Sequence, residues 1–223
     1  MTQPATSTSP RWVRVAVALV ILFVVALLAD RWLFHHFTRT DLYGRGWARM
    51  LRVPGYFPFW ALAGLALVLQ DWTPRALQTL GTAARRGLLL FWSTALGGLV
   101  AELLKIIIRR ERPGPNDGDW VFRAWSDRPF STAQLGLPSS EAAVAFAAAA
   151  MLARLFPQGR ELWYALAFAC ALTRVVAGAH FLSDVVLAAL VGYLVSVMLW
   201  QSAITPHPIA GSMRQTGVRS GAP

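Results

Sequence analysis

A histidine and an aspartate four residues apart give the clearest chemical signal in this 223-residue sequence. His180 and Asp184 belong to the segment Thr173-Arg174-x5-His180-x3-Asp184, and on a helix this spacing places both side chains on one face. An aspartate beside a histidine holds the imidazole ring in one tautomer and raises its basicity, which leaves the other ring nitrogen free to act. This pairing is typical of nucleophilic and acid–base sites, and it also occurs as a polar pair that joins two helices.

Two further clusters supply positive charge and hydroxyl groups. Lys105 and Arg112 form the pattern Lys-x6-Arg-Pro at the end of an apolar run, where a lysine is costly in lipid and is generally kept for function. Ser139 and Ser140 follow Pro138 and open the next run, where the free N–H groups of a helix N-terminus form an anion site. Each cluster also has a structural interpretation: a lysine that extends to the interface beside a basic loop, and a simple helix cap.

Together the three clusters favour phosphoryl transfer. Lys105, Arg112 and Arg174 are cations that can stabilise the charge on phosphoryl oxygens, and Ser139 adds a neutral donor at the helix start. His180 is the natural nucleophile, because it can form a phosphohistidine that water then hydrolyses. The sequence contains no carboxylate cluster, second histidine at ligand spacing or cysteine pair, so we expect neither a metal nor another cofactor.

Six apolar runs must position these clusters. A helix needs about 20 residues to cross a bilayer, and the second and fifth runs are slightly shorter than that. The runs cover residues 13–34, 54–70, 87–108, 139–156, 162–178 and 181–200. In a six-span bundle the connections after the first, third and fifth helices lie on one side, so all three clusters should meet there. The sequence therefore predicts an all-α, polytopic membrane bundle of about six transmembrane helices.

The composition agrees with a membrane protein. Apolar residues make up 56% of the chain and charged residues only 14%, against about 25% in soluble proteins. The formal charge of +10 does not indicate nucleic-acid binding, because the arginines lie in short connections and not on a polar domain. The single cysteine, Cys170, cannot form a disulfide within the chain.

We expect one transmembrane domain, residues 13–204, with a short tail at each end. The segments that carry its site are residues 105–113, 138–141 and 173–184. The tails, residues 1–12 and 205–223, are rich in Ser, Thr, Pro and Gly and are expected to be disordered. The first apolar run also has features of a secretory signal, but it is long for a signal and continues into aromatic residues suited to the membrane interface.

The three clusters resemble the signature of the type 2 phosphatidic acid phosphatase family, within the superfamily that includes vanadium haloperoxidases. That signature reads Lys-x6-Arg-Pro, then Pro-Ser-Gly-His, then Ser-Arg-x5-His-x3-Asp. The resemblance spans residues 105 to 184, and it implies that His180 attacks phosphorus and that Asp184 orients it. The phosphate-binding residues that it implies are Lys105, Arg112, Ser139, Ser140 and Arg174.

The second cluster departs from that signature. Ser140 and Glu141 stand where the family has Gly and then His, and Thr173 replaces a Ser. The missing histidine is the group that the family uses as general acid to protonate the leaving alcohol. Glu141 can take that catalytic role only if it carries a proton near neutral pH. Because a diphosphate leaving group needs less protonation, we expect lipid diphosphates to be hydrolysed faster than lipid monophosphates.

The resemblance implies a membrane-embedded lipid phosphate or diphosphate phosphatase that acts without a metal. The expected partners are the bilayer and a lipid phosphate or polyprenyl diphosphate, with no nucleic acid. Bacterial relatives imply the inner membrane, with the site on the extracytoplasmic side. Lysines and arginines divide too evenly between the two faces for the positive-inside rule to decide. Two alternatives remain open: a catalytically impaired family member that binds lipid phosphate, and a small anion-binding membrane transporter.

Overall fold

Helices form the regular structure of this protein. The computed structural model describes residues 10–72 and 84–204. The helices in these ranges are α1 Arg11–Phe37, α2 Gly46–Arg52, α3 Phe57–Asp71, α4 Arg85–Ile108, α5 Ser140–Leu155, α6 Arg160–Val176 and α7 Leu182–Ile204. No β-strand is present in the described ranges, apart from two isolated bridges. The predicted all-α membrane bundle is confirmed.

The predicted tails fall mostly on undescribed positions. Residues 1–9 and 205–223 lie outside the described residues, so the expected disorder there stays a prediction. The last two positions of the predicted N-terminal tail, Arg11 and Trp12, already belong to α1.

Three of the described helices, α1, α4 and α7, are long and apolar enough to cross a membrane. The bent pair of α2 and α3, with 63° between its halves, makes a fourth span if it is counted as one. Helices α5 and α6 have 16 and 17 residues, fewer than the roughly 20 of a full crossing. The chain is an integral membrane bundle, and the count of six spans stays a prediction.

Helix α5 packs against α4, α6 and α7. Its alanine-rich interior presents small side chains, which allow neighbouring helices to approach closely. A Cβ added to Gly192 of α7 would lie 2.4 Å from the carbonyl oxygen of Ala143, and one added to Gly97 of α4 would lie 2.9 Å from the Cβ of Ala147. The backbones of α4 and α7 therefore lie directly against α5, which fixes the position of its N-terminal residues.

Helix α1 docks on the bundle through one narrow face. Most of its large apolar side chains are exposed, as suits a helix in contact with lipid, whereas Ala26 and Asp30 are 0% and 1% exposed. Their spacing of four residues puts both on the same face. The end of α1 is tied to the end of α6, because the amide of Arg39 donates to the carbonyl oxygen of Val176 at 2.7 Å.

Residues 109–138, which connect α4 to α5, are held together by their own arginines. The buried guanidinium of Arg109 donates to four backbone carbonyl oxygens of this loop, at 2.6 to 3.1 Å. Arg123 donates to the carbonyl oxygen of Ala133 at 2.6 Å and pairs with Glu111 at 3.0 Å. Part of the positive charge of the loop therefore stabilises its fold.

Candidate active site

The ends of four helices and the α4–α5 loop bring the predicted site residues to one end of the bundle. They are Lys105 in the last turn of α4, Arg112 in the loop, Ser139, Ser140 and Glu141 at the start of α5, Arg174 in the last turn of α6, His180 in the α6–α7 turn and Asp184 in the first turn of α7. The contacts described below connect them.

His180 and Asp184 face each other inside the protein. Nδ1 of His180 lies 3.4 Å from Oδ2 of Asp184 and 3.0 Å from the carbonyl oxygen of Gly136. Because both neighbours are acceptors, Nδ1 carries the proton and Nε2 keeps its lone pair. Burial lowers the pKa of His180 to about 4, although the hydrogen bond and charge of Asp184 act in the opposite direction. The imidazole is therefore neutral near pH 7.

Gly136 allows the loop backbone to reach the histidine. A Cβ at this position would lie 2.9 Å from Oδ2 of Asp184 and 3.3 Å from the carbonyl oxygen of Glu111. The amide of Gly136 donates to the carbonyl oxygen of Arg110 at 2.8 Å, which holds the start and the end of the loop together. A side chain at position 136 would have to displace either the loop or the carboxylate of Asp184.

Asp184 uses both of its carboxylate oxygens. Oδ1 accepts a hydrogen bond from Nη2 of Arg110 at 2.6 Å, and Oδ2 accepts one from the backbone N–H of Phe181 at 2.8 Å. Arg110 was not predicted, because nothing in the spacing distinguishes it from the other arginines at the start of the loop. With two donors on the carboxylate, Asp184 is fixed in position against the imidazole of His180.

Lys105 reaches the start of α5. Its Nζ donates to Oγ of Ser140 at 2.9 Å and to Oε1 of Glu102 at 2.6 Å, and the lysine is only 3% exposed. Ser139 is the N-cap of α5, since its Oγ accepts a hydrogen bond from the amide of Ala142 at 3.4 Å. The structure thus brings the first and second sequence clusters into contact.

Arg112 and Arg174 lie close to each other and to the imidazole. Burial lowers the pKa of Arg112, and the positive charge of Arg174 lowers it further. The charges of both arginines also lower the pKa of His180. Arg174 is 3% exposed, and its Nη1 donates to the hydroxyl oxygen of Tyr43 at 3.0 Å. The three clusters therefore meet around His180.

Glu141 lies between two arginines. Its Oε2 and Oε1 accept hydrogen bonds from Nε and Nη2 of Arg52 at 2.7 and 2.5 Å, and Nε of Arg174 lies 3.4 Å from Oε2. The guanidinium of Arg52 also lies over the rings of Tyr43 and Tyr56, at 5.1 and 5.2 Å. Because an arginine keeps its charge, this arrangement favours the carboxylate form of Glu141. Arg52 was not predicted, since 89 residues separate it from its partner.

A neutral imidazole beside two arginines, with two further cations in contact with the start of α5, suits an anionic substrate with an electrophilic centre, such as a phosphate ester. The cations are Lys105, Arg112, Arg174 and Arg52. In the part of the chain that the structure describes, no group of three or more His, Cys, Asp or Glu residues is placed to hold a metal ion. The roles that the sequence assigned to these residues stay predictions.

Part of the chain is similar to known proteins. The sequence model of the PAP2 superfamily matches residues 86–206. A lipid A 1-phosphatase from Rhizobium johnstonii is 38% identical over 102 residues, which is 45% of this chain and 41% of that protein. A lipid A 1-phosphatase from Rhizobium etli is 38% identical over 102 residues, 45% of this chain and 43% of that protein. The match thus spans less than half the length of these curated relatives. No solved structure matches the chain significantly.

Proposed function

The chain belongs to the PAP2 superfamily, as its three sequence clusters predict, and we propose that it is a membrane-embedded lipid phosphatase. The single observation that carries this proposal is the neutral, buried imidazole of His180, with its Nδ1 proton directed at Asp184 and with Arg112 and Arg174 beside it. The names of the two relatives, both lipid A 1-phosphatases, support a lipid phosphate as substrate.

The proposed reaction has two steps at one ring nitrogen. Nε2 of His180 attacks phosphorus with its lone pair, and the bond from phosphorus to the leaving oxygen breaks. Water then attacks the phosphohistidine, the P–N bond breaks, and its electron pair returns to Nε2 as inorganic phosphate is released. Asp184 keeps the Nδ1 proton in place and offsets the positive charge that the ring carries while it is phosphorylated.

We assign the phosphate oxygens to donors that already line the site. Lys105, Arg112 and Arg174 supply charge, and Ser140 lies within hydrogen-bond distance of Lys105. The oxygen of Ser139 accepts a hydrogen bond from the backbone of α5, so its hydroxyl proton is available for a phosphate oxygen. These donors are fixed before the substrate arrives, which is the condition for effective stabilisation of the transition state.

The leaving group defines the proposed substrate class. A general-acid role for Glu141 stays a prediction, and its ion pairs with Arg52 and Arg174 favour a carboxylate, which cannot donate a proton. We therefore propose substrates whose leaving group needs little protonation, with lipid diphosphates such as polyprenyl diphosphate first. Phosphorylated lipid A is the second class, suggested by the names of the relatives.

We also propose that the site faces the extracytoplasmic side of a bacterial inner membrane. The two named relatives come from bacteria. Reporter fusions within the loop at residue 120 and at the C-terminus test this placement. The loop fusion should report an extracytoplasmic position and the C-terminal fusion a cytoplasmic one, because an even number of spans would bring the C-terminus back to the side of the N-terminus.

Purified protein in detergent, assayed against a panel of lipid phosphates with EDTA present, tests the activity. The wild type should release phosphate, and His180→Ala should release none. A matched control is His36→Ala, because His36 lies at the exposed end of α1, where its Nδ1 contacts the backbone oxygen of Trp32. An acid-labile, base-stable phosphoryl label that is present in the wild type and absent from His180→Ala would support the phosphohistidine.

The same assay separates the two alternatives. A wild-type protein that binds lipid phosphate without releasing phosphate would be a catalytically impaired family member. Phosphate flux across liposomes that contain the protein, with no hydrolysis, would indicate a transporter. Either result would overturn the proposed function.

A further inference from the structure

Helix α1 contains one acid, Asp30, and its side chain is buried at the start of α7. Oδ1 of Asp30 accepts a hydrogen bond from the backbone N–H of Ser183 at 2.9 Å, and Oδ2 accepts one from the hydroxyl of Ser183. Asp30 therefore caps the first turn of α7 from another helix. An acid in an apolar helix is costly in lipid and points to a specific role.

Arg110 connects this cap to the pair of His180 and Asp184. Its Nη2 donates to Oγ of Ser183 and to Oδ1 of Asp184, both at 2.6 Å, and its Nη1 lies 3.5 Å from Oδ2 of Asp30. The side chains of Arg110 and both aspartates are at most 2% exposed. A continuous series of buried contacts thus runs from α1 to the histidine.

The charges of Asp30, Arg110 and Asp184 do not cancel. One guanidinium lies between two carboxylates, which leaves a net charge of −1 beside His180. Without Asp30, Arg110 and Asp184 would form a neutral pair, and much of the negative field at the imidazole would be lost. In a buried site that field acts with little screening by solvent.

We propose that Asp30 is a positioning residue for phosphoryl transfer, which offsets the charge of Arg110 so that Asp184 can stabilise the positive ring of His180. The inference rests on the proposed function and adds to it. Asp30 has no contact with the proposed phosphate site, and it lies outside residues 86–206 that the superfamily model matches. The helix at the N-terminal end of the chain thus takes part in the chemistry through Arg110.

Other charged groups also act on His180 and Asp184, and a test must leave them in place. They are Lys105 on α4, Arg112 in the loop, Glu141 on α5 and Arg174 on α6. The substitution Asp30→Asn changes none of them. Asparagine has the size of aspartate and keeps an oxygen that can accept the N–H of Ser183, so the substitution removes mainly the charge.

The test compares the kinetics of Asp30→Asn with those of the wild type over a range of pH. We expect kcat to fall by about tenfold or more and KM to stay within about twofold, because the phosphate ligands are unchanged. The acid limb of kcat should move to lower pH by about half a unit or more, since the imidazolium loses a negative neighbour. A kcat within about twofold of the wild type, or a reduced kcat with an unmoved acid limb, would overturn the proposal.

A matched control is Asp119→Asn. This substitution removes an exposed carboxylate of the α4–α5 loop that pairs with Arg31, the neighbour of Asp30 on α1. It should leave kcat and the acid limb unchanged. Where Asp30→Asn fails to fold, Asp30→Glu tests the same point, because it keeps the charge and alters the cap. Its acid limb should stay at the wild-type pH even if kcat falls, and a moved limb would contradict the proposal. An inactive wild type would instead overturn the proposed function itself.

Discussion

Glu141 and Arg52 form a bidentate ion pair, with N–O distances of 2.7 and 2.5 Å. The pair joins the end of α2 to the start of α5, at the position where the related signature has the general-acid histidine. Arg174, a proposed phosphate ligand, lies 3.4 Å from the same carboxylate. A phosphate that binds Arg174 must therefore share this cation with Glu141.

Replacing Glu141 by Gln should strengthen phosphate binding, because the carboxylate no longer competes for Arg52 and Arg174. We expect inorganic phosphate to inhibit Glu141→Gln at about tenfold lower concentration than the wild type, with kcat reduced by less than about tenfold. A loss of kcat of about a hundredfold or more, with unchanged inhibition, would show instead that Glu141 is the general acid. Steady-state kinetics with phosphate as inhibitor decide between the two.

The matched control for this variant is Asp71→Asn. Asp71 at the end of α3 and Arg86 at the start of α4 form the same kind of bidentate pair. This control should leave the inhibition constant of phosphate unchanged. A similar gain in both variants would show that the effect comes from net charge and not from the site.

Lipid diphosphates should be hydrolysed faster than lipid monophosphates. With Glu141 paired to Arg52, its carboxylate has no proton to give to an alkoxide, whereas a phosphate leaving group departs without one. The measurement is kcat/KM for polyprenyl diphosphate and for phosphatidic acid in the same detergent. Equal or faster release of phosphate from phosphatidic acid would refute this preference.

Gly136→Ala should reduce activity strongly. Its Cβ would lie 2.9 Å from Oδ2 of Asp184, so either the carboxylate or the carbonyl oxygen that contacts Nδ1 of His180 must move. We expect a fall in kcat of about tenfold to a hundredfold, as for other small displacements of catalytic groups. Gly46→Ala is the control, since a Cβ there meets nothing within 4 Å, and it should retain wild-type activity.

The stability of the protein should depend on pH through His180. Its pKa is lowered to about 4 in the folded protein by burial, whereas the unfolded chain binds this proton near the ordinary value of about 6.5. The unfolded state therefore binds more protons between these values, and the free energy of unfolding falls as the pH drops through this window. The slope from this one group is at most about 1.4 kcal/mol per pH unit.

Thermal unfolding in detergent between pH 4 and 7 measures this effect, with His180→Asn as the comparison. The variant should lose less stability than the wild type on acidification, because it lacks the titrating ring. If both proteins lost the same stability over this range, His180 would not have a lowered pKa in the fold.

The helices that carry most of the site were predictable because local signals mark their ends. The run predicted at 87–108 corresponds to α4, which ends where Arg109 takes a left-handed conformation with φ of 60°. The run predicted at 139–156 corresponds to α5, because Pro138 and the capping Ser139 precede it. Spacing within these short segments also selected Lys105, Arg112 and His180 as candidate site residues, and their roles stay predictions.

The residues that were missed depend on contacts between distant segments. Asp30 and Ser183 are 153 residues apart, and no local pattern relates them. One signal was visible: Asp30 is the single acid in the first apolar run, where a charge is costly. Arg52 gave no such signal, because it lies just before the second predicted run, residues 54–70, at the end of the short helix α2.

Close backbone packing fixes the position of α5, which carries three of the candidate site residues. Gly97 and Gly192 leave no room for a side chain between α5 and its neighbours, so rotamer changes cannot absorb a shift of this helix. Ser139, Ser140 and Glu141 can move only together with the whole helix. We therefore expect adaptation to a lipid headgroup of another shape to occur outside α5, for example in residues 109–138, which connect α4 to α5.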